Sequence, residues 1–172
     1  MIRRESIPEH ALHARYVAEG AYLDCYVTDI EYPATLAEFV TAFYTTGLFK
    51  LERWILAWAV NKPSTDAQAN ELAQGQRTAF AAWTQEARAE NQLLMCDFQG
   101  HTRSWLMVSP HPSGTKLYFG SVVTPRRDHR TGRLEMARSY RLLIGFHKLY
   151  SRALLAAARS KLRRRRSLLS VR

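Results

Sequence analysis

His147 is the residue in this chain whose neighbours best suit it for chemistry. Met136, Tyr140, Leu143, Ile144, His147, Tyr150, Leu154 and Ala157 recur at helical spacing and share one helix stripe. An imidazole on an apolar stripe faces a core or a pocket, where it can orient a ligand or move a proton. A core imidazole hydrogen-bonded to the next layer is the competing reading. Arg103, Trp105 and Met107 share one strand face, and Leu93, Met95 and Asp97 share another. Across the Gln99-Gly100 turn, Asp97 and Arg103 can lie opposite each other. They would form either a charged pair for a ligand carboxylate or hydroxyl, or an ordinary cross-strand ion pair. Trp54, Trp58, Tyr44 and Phe49 form an aromatic group at helical spacing, suited to a core or to a pocket mouth. The expected ligand-binding lining is therefore Trp54, Trp58, Met95, Arg103, Trp105, Met107, Tyr140 and His147, with His147 and Arg103 as polar handles.

Other chemistries find little support. There is no G-x-S-x-G element, and neither Cys25 nor Cys96 sits in a recognisable catalytic context. The eight glycines are scattered and form no phosphate-binding loop. His10 and His13 could share a helix face, but no third metal ligand is fixed near them, and His101, His111 and His129 fall in expected loops. No catalytic residue, cofactor or metal is assigned. Whether the chain is an enzyme stays open.

The elements that would position these residues follow from periodicity. Ala21 to Ile30 alternates, with Tyr22, Asp24, Tyr26 and Thr28 facing one way, and predicts a strand closed by Pro33. Thr35 with Glu38 three residues on is a capping box for a helix through Leu36, Phe39, Val40, Phe43 and Tyr44. Gly47 breaks it, and a second helix runs through Leu48, Leu51, Ile55 and Trp58. Thr65 to Gln74 reads as a surface helix or a mobile loop. The period then changes to two, predicting strands at Ala81 to Arg88, Gln92 to Phe98, Arg103 to Ser109 and Thr115 to Thr124. Pro125 to Gly132 is a polar loop, and a long helix runs from about Leu134 to past Lys161. In the strand Thr115 to Thr124 both alternating sets are apolar, which leaves the inward face open and suggests a sheet buried on both sides or a dimer contact.

Charge is unevenly placed. Arg133 to Arg172 contains twelve Lys or Arg and only Glu135 as acid, while residues 1–132 are nearly neutral, for a net charge of +10. The basic segment suggests a solvated helix end, an anionic membrane surface or nucleic acid. The absence of interleaved exposed aromatics and of a second basic patch weighs against nucleic acid. Two cysteines without C-x-x-C spacing suggest a reducing compartment. The start lacks the apolar run of a secretory signal, and Leu51 to Val60 is too short to span a bilayer. A cytoplasmic protein is expected.

Three segments carry a family resemblance: AYLDCYVTDI, TLAEFVTAFYTTGLFKLERWILAWAV and TGRLEMARSYRLLIGFHKLYSRALLAAA, with Gly132-Arg133 followed by Phe146-His147 and Arg152. They resemble the helix-grip superfamily that includes the START-type and plant-allergen lipid binders, and more closely a bacterial domain family of unknown function within it. The resemblance implies an α+β helix-grip domain over residues 1–162, with a basic extension at 163–172. In that fold a curved antiparallel sheet packs on a long C-terminal helix, with two helices after the first strand. The expected function is binding of a small apolar or amphipathic molecule between sheet and helix. The alternatives are an enzyme on the same scaffold using His147 as acid or base, and a non-catalytic interaction protein acting through its basic tail. A homodimer is compatible with all three.

Overall fold

The period-two segments, each bounded by turn residues, pair into one antiparallel sheet. In the computed structural model the chain runs β1 (Arg3–Arg4), a 3-10 turn (Ala14–Val17), β2 (Tyr22–Ile30), α1 (Leu36–Tyr44), α2 (Gly47–Val60) and α3 (Asp66–Ala73). It continues through β3 (Ala79–Phe80), β4 (Trp83–Ala89), β5 (Gln92–Asp97), β6 (Thr102–His111), β7 (Gly114–Val123), β8 (Arg126–Arg127), β9 (Leu134–Glu135) and α4 (Arg138–Ser170). The backbone is described for residues 1–127, 134–135 and 138–170. Side chains are described for the same residues except 55–57, 59–60, 126–127, 134–135, 138–144, 146 and 169–170. The stripe residue Tyr140 and most of the expected loop Pro125 to Gly132 therefore lie outside the described side chains.

The fold is α+β. A curved sheet of seven antiparallel strands has the order β1-β2-β7-β6-β5-β4-β3, and α4 follows it. Thr35 caps α1 with Glu38 in a reciprocal capping box, as the spacing predicts. The segment from Thr65 to Gln74 is a true helix opened by the same device, Thr65 with Gln68, and it buries Ala69, Leu72 and Ala73. Three helices, not two, separate β2 from the meander.

Both sheet faces are buried. On one face Tyr26, Phe119, Leu106 and Leu93 stand in register across β2, β7, β6 and β5 and pack under α1, α3 and α4. On the other, Cys25, Gly120, Trp105 and Leu94 stand in register under the N-terminal segment around Ala11 and Tyr16. The two-sided apolar pattern of β7 is thus satisfied within one chain.

Gln92 fixes that N-terminal segment. Its Oε1 accepts from the Leu12 amide at 3.0 Å and the Trp105 indole at 2.9 Å, and its Nε2 donates to the His10 carbonyl at 3.1 Å. His13 then sits over Gly120 with its ring 4.1 Å from that of Trp105. A Cβ at Gly120 would lie 2.9 Å from His13 Nε2 and 2.7 Å from the Asp24 carbonyl oxygen, so only glycine leaves room for the imidazole.

His13 is 0% exposed, and burial pushes its pKa down to about 4, with the Asp24 carbonyl and charge opposing the shift. Since the unfolded imidazole titrates near 6.5, the unfolded state binds more protons between those values. Stability contributed by neutral His13 is complete above about pH 6.5 and is lost as pH falls toward 4, by about 3 kcal/mol in all. Urea melts of wild type and His13→Leu across that window should show a pH-dependent gap of this order. A constant gap would mean that His13 is not held neutral by its site.

Candidate functional site

The helix-facing side of the sheet carries a polar row beside its apolar one. Asp24, Ser121, Ser104 and Met95 are cross-strand partners in sequence from β2 through β7 and β6 to β5. Two serines therefore occupy the middle of a buried sheet face, where the adjacent row has Phe119 and Leu106. Both serines are buried, so their hydroxyls lie within the layer that α1, α3 and α4 cover.

Asp24 anchors one end of the row. It is buried, its Oδ1 accepts from the Ser121 amide at 2.8 Å, and its Oδ2 accepts from the Tyr22 hydroxyl at 3.3 Å. His147 Nε2, on α4, stands 3.5 Å from the same Oδ2, and its ring meets Tyr22 edge-on at 6.3 Å. Burial, and then the Asp24 charge, push the Tyr22 hydroxyl pKa up to about 12, so it remains a donor. One turn beyond His147, Ser151 is buried on the same face of α4.

The other end is built by α2. Glu52 turns inward and accepts a short hydrogen bond from the Tyr150 hydroxyl of α4. Burial raises the Glu52 pKa above the ordinary carboxylate range, opposed by the Tyr150 hydrogen bond and the nearby Trp83 indole. Tyr150 and Tyr44 are both raised, first by burial and further by the Glu52 charge. Tyr44 OH lies beside Ser104 and Trp83 Nε1 beside Glu52. Neither of them, nor Ser151 Oγ, closes a well-shaped hydrogen bond among the described residues. The arrangement is an apolar frame with a carboxylate–imidazole contact at one end, a carboxyl–phenol pair at the other, and between them donors that close no well-shaped hydrogen bond among the described residues. It can hold a hydroxyl or carbonyl of a mostly apolar molecule, and it places two proton-carrying groups at each end.

The expected lining is divided by the structure. His147 and Met95 lie in this layer. Trp105, Met107 and Arg103 lie on the opposite sheet face, because they alternate with Ser104 and Leu106. Trp105 and Met107 are core under the N-terminal segment. Arg103 does not pair with Asp97: its Nε donates to Glu86 and to the Tyr16 hydroxyl, both at 3.0 Å. Glu86 is the extra residue of a bulge in β4, which turns its carboxylate toward Arg103. Asp97 instead accepts from the His101 and Thr102 amides and closes the turn. Trp54 and Trp58 are exposed on α2, whereas Tyr44 and Phe49 are core beside Phe43 and Phe80. Among the described residues no cluster of three or more His, Cys, Asp or Glu is arranged to hold a metal ion.

The expected lining left out Asp24, Glu52, Ser104 and Ser121, and it gave Tyr44 and Tyr150, placed on their helix stripes, no polar role. The available signal was polarity in the wrong place: Asp24 within the strand AYLDCYVTDI and Glu52 within the helix LERWILAWAV.

No family model matches the chain, and no curated protein matches it. Among solved structures it is similar to an uncharacterised protein from Rhizobium leguminosarum, at 12% identity over 84% of this chain and 97% of that one, with a TM-score of 0.34. It is also similar to CalU16 from Micromonospora echinospora, at 13% identity over 99% of this chain and 96% of that one, with a TM-score of 0.33. Likeness at this level assigns neither fold family nor function.

The raised Glu52 pKa has a sign that can be measured. Its ionised form is disfavoured by the fold, so it lowers stability as pH rises through the carboxylate range and above. Glu52→Gln keeps an acceptor for Tyr150 and removes the charge. The variant should melt higher than wild type above about pH 7, and the two should converge in acid where Glu52 is protonated. A variant that melts lower throughout would show that the carboxylate is a stabilising element.

Proposed function

We propose that this chain is a helix-grip domain that binds a small apolar or amphipathic molecule between the sheet and the helices α2 and α4. The observation that supports it most is the pair Ser104 and Ser121 at the centre of a buried sheet face, in the same layer as the buried donors Tyr44, Trp83 and Ser151, which close no well-shaped hydrogen bond among the described residues. Buried polar groups in folded proteins are almost always satisfied by protein or by something bound. An apolar ligand carrying one or two oxygen functions would fill the space over the serines and take hydrogen bonds from Tyr44, Trp83 or Ser151. Met95 and the rings of Tyr44 and Trp83 would supply apolar contact, and His147 a polar handle.

A second reading, an enzyme on the same scaffold, is favoured by the contact between His147 and Asp24. A carboxylate at 3.5 Å can orient an imidazole and stabilise its charged form, which is what a general acid or base requires. The two readings separate on what the protein carries. Purified from its own host, wild type and His147→Gln would hold molecules of different mass if His147 turns one over, and the same molecule if it only binds.

Packing tests the space itself. Adding bulk to a filled core costs about 1–3 kcal/mol, whereas an unfilled site accepts it. Ser104→Leu should therefore leave stability unchanged or raise it, and should weaken binding of the apolar fluorophore anilinonaphthalene sulfonate about tenfold or more. A clear loss of stability, with Ser104→Ala behaving as wild type, would show that side chains already fill the site.

A further inference from the structure

The fold treats the two arginines of β1 differently. Strand alternation sends them to opposite sides of the sheet. Arg3 is held, with Nη1 donating to Asp29 at 2.8 Å and Nη2 to Glu5 at 3.3 Å. Arg4 is the cross-strand partner of Tyr26, whose side chain belongs to the helix-facing layer. Cross-strand partners share a face, so Arg4 is directed to the side on which α4 packs against β2. Among the described residues Arg4 has no ion pair, in contrast to Arg3.

α4 completes a recess at that point. Gly145, Lys148, Leu149 and Arg152 stand at i, i+3, i+4 and i+7 and so share one helix face. With Ile2, Arg4 and Tyr26 they line a recess of about 420 Å³. Its described lining holds three cations, the apolar side chains Ile2 and Leu149, one phenol and no acid. A Cβ added at Gly145 would meet nothing within 4 Å, so the recess is open where the helix carries no side chain. Burial, and then the Asp24 charge, raise the Tyr26 hydroxyl pKa, whereas Arg4 and Arg152 oppose the rise. Both guanidiniums thus act on one phenol, which remains a donor. Asp24 is engaged by the Ser121 amide, the Tyr22 hydroxyl and His147, and it does not line the recess. Three like charges around one space repel each other, and an anion placed among them turns that repulsion into attraction.

We infer that this recess binds the phosphate group of a small organic molecule, with Arg4, Lys148, Arg152 and the Tyr26 hydroxyl as donors. Guanidinium forks match phosphate oxygens in pairs, and an ammonium adds a point charge. A phosphate monoester carries roughly two negative charges at neutral pH, which suits three cations better than a carboxylate does. Ile2, Leu149 and the Tyr26 ring give the organic part apolar contact. None of these residues is among those proposed to hold the apolar ligand, so either site can fail alone.

Calorimetric titration of the full chain at fixed ionic strength tests the recess. Phenyl phosphate should bind saturably, with inorganic phosphate weaker and benzoate weaker by about tenfold or more. Arg4→Ala, Lys148→Ala and Arg152→Ala should each weaken phenyl phosphate about tenfold. Gly145→Leu should fill the recess and cost about tenfold or more, with the fold intact because the position is exposed and leucine is the better helix former. Arg164→Ala/Arg165→Ala removes cations of α4 that do not line the recess and should leave binding unchanged. Soluble dihexanoyl phosphatidic acid identifies the source of the phosphate. Tighter binding than phenyl phosphate, lost in the same variants, would assign a lipid headgroup, and weaker binding a free phosphorylated compound. Absence of saturable binding by either ester would overturn the inference. So would benzoate binding as tightly as phenyl phosphate, binding untouched by Gly145→Leu, or an equal loss in Arg164→Ala/Arg165→Ala.

Discussion

A strand at the centre of this sheet sends alternate side chains into two separate layers, and both layers must be sealed. β2, β5, β6 and β7 each do so, with one set under the helices and the other under the N-terminal segment. Register is therefore fixed from both sides, because a slip of one residue would exchange the two sets at every position. The row holding Gly120 and Trp105 must admit His13, while the next residues along the same strands, Ser121 and Ser104, face the helices. The N-terminal segment is consequently a structural layer held by Gln92, and the sheet does not form a closed core without it.

The same alternation creates the candidate site. Once Trp105 is committed to the far layer, its neighbours on β6 face α1 and α4, and at Ser104 the residue is small and polar. Asp24 illustrates how the cost of burying charge is met, with an amide, a phenol and an imidazole around one carboxylate. Glu52 has fewer such partners, and its pKa rises accordingly. The helix-facing layer thus contains one buried carboxylate with several polar partners, Asp24, and one carboxyl with fewer, Glu52.

Local signals were legible in the sequence. The strand ending at Ile30, the Thr35–Glu38 capping box, the meander and the long final helix all depend on spacing within a few residues. The α3 capping box was equally local, but its Ala- and Gln-rich composition obscured it. The site was much less legible, for a specific reason. When both faces of a strand are apolar, periodicity says which residues share a face and not which face meets the helix. Choosing the aromatic and methionine face of β6 selected Trp105 and Met107, which pack under the N-terminal segment and not under the helices. The pairing of Arg103 with Glu86 depends on a bulge that no spacing rule reveals. Trp54 and Trp58 fit a helical core stripe by spacing, yet the inner face of α2 was taken by Phe49, Glu52 and Arg53.

The account rests on a bound molecule over Ser104 and Ser121. Native mass spectrometry of the protein purified from its own host addresses that most directly. The account predicts a complex heavier than the 19.8 kDa chain, which returns to the bare mass on denaturation and releases a small, largely apolar compound bearing oxygen. A native mass equal to that of the chain alone, before and after denaturation, would contradict it.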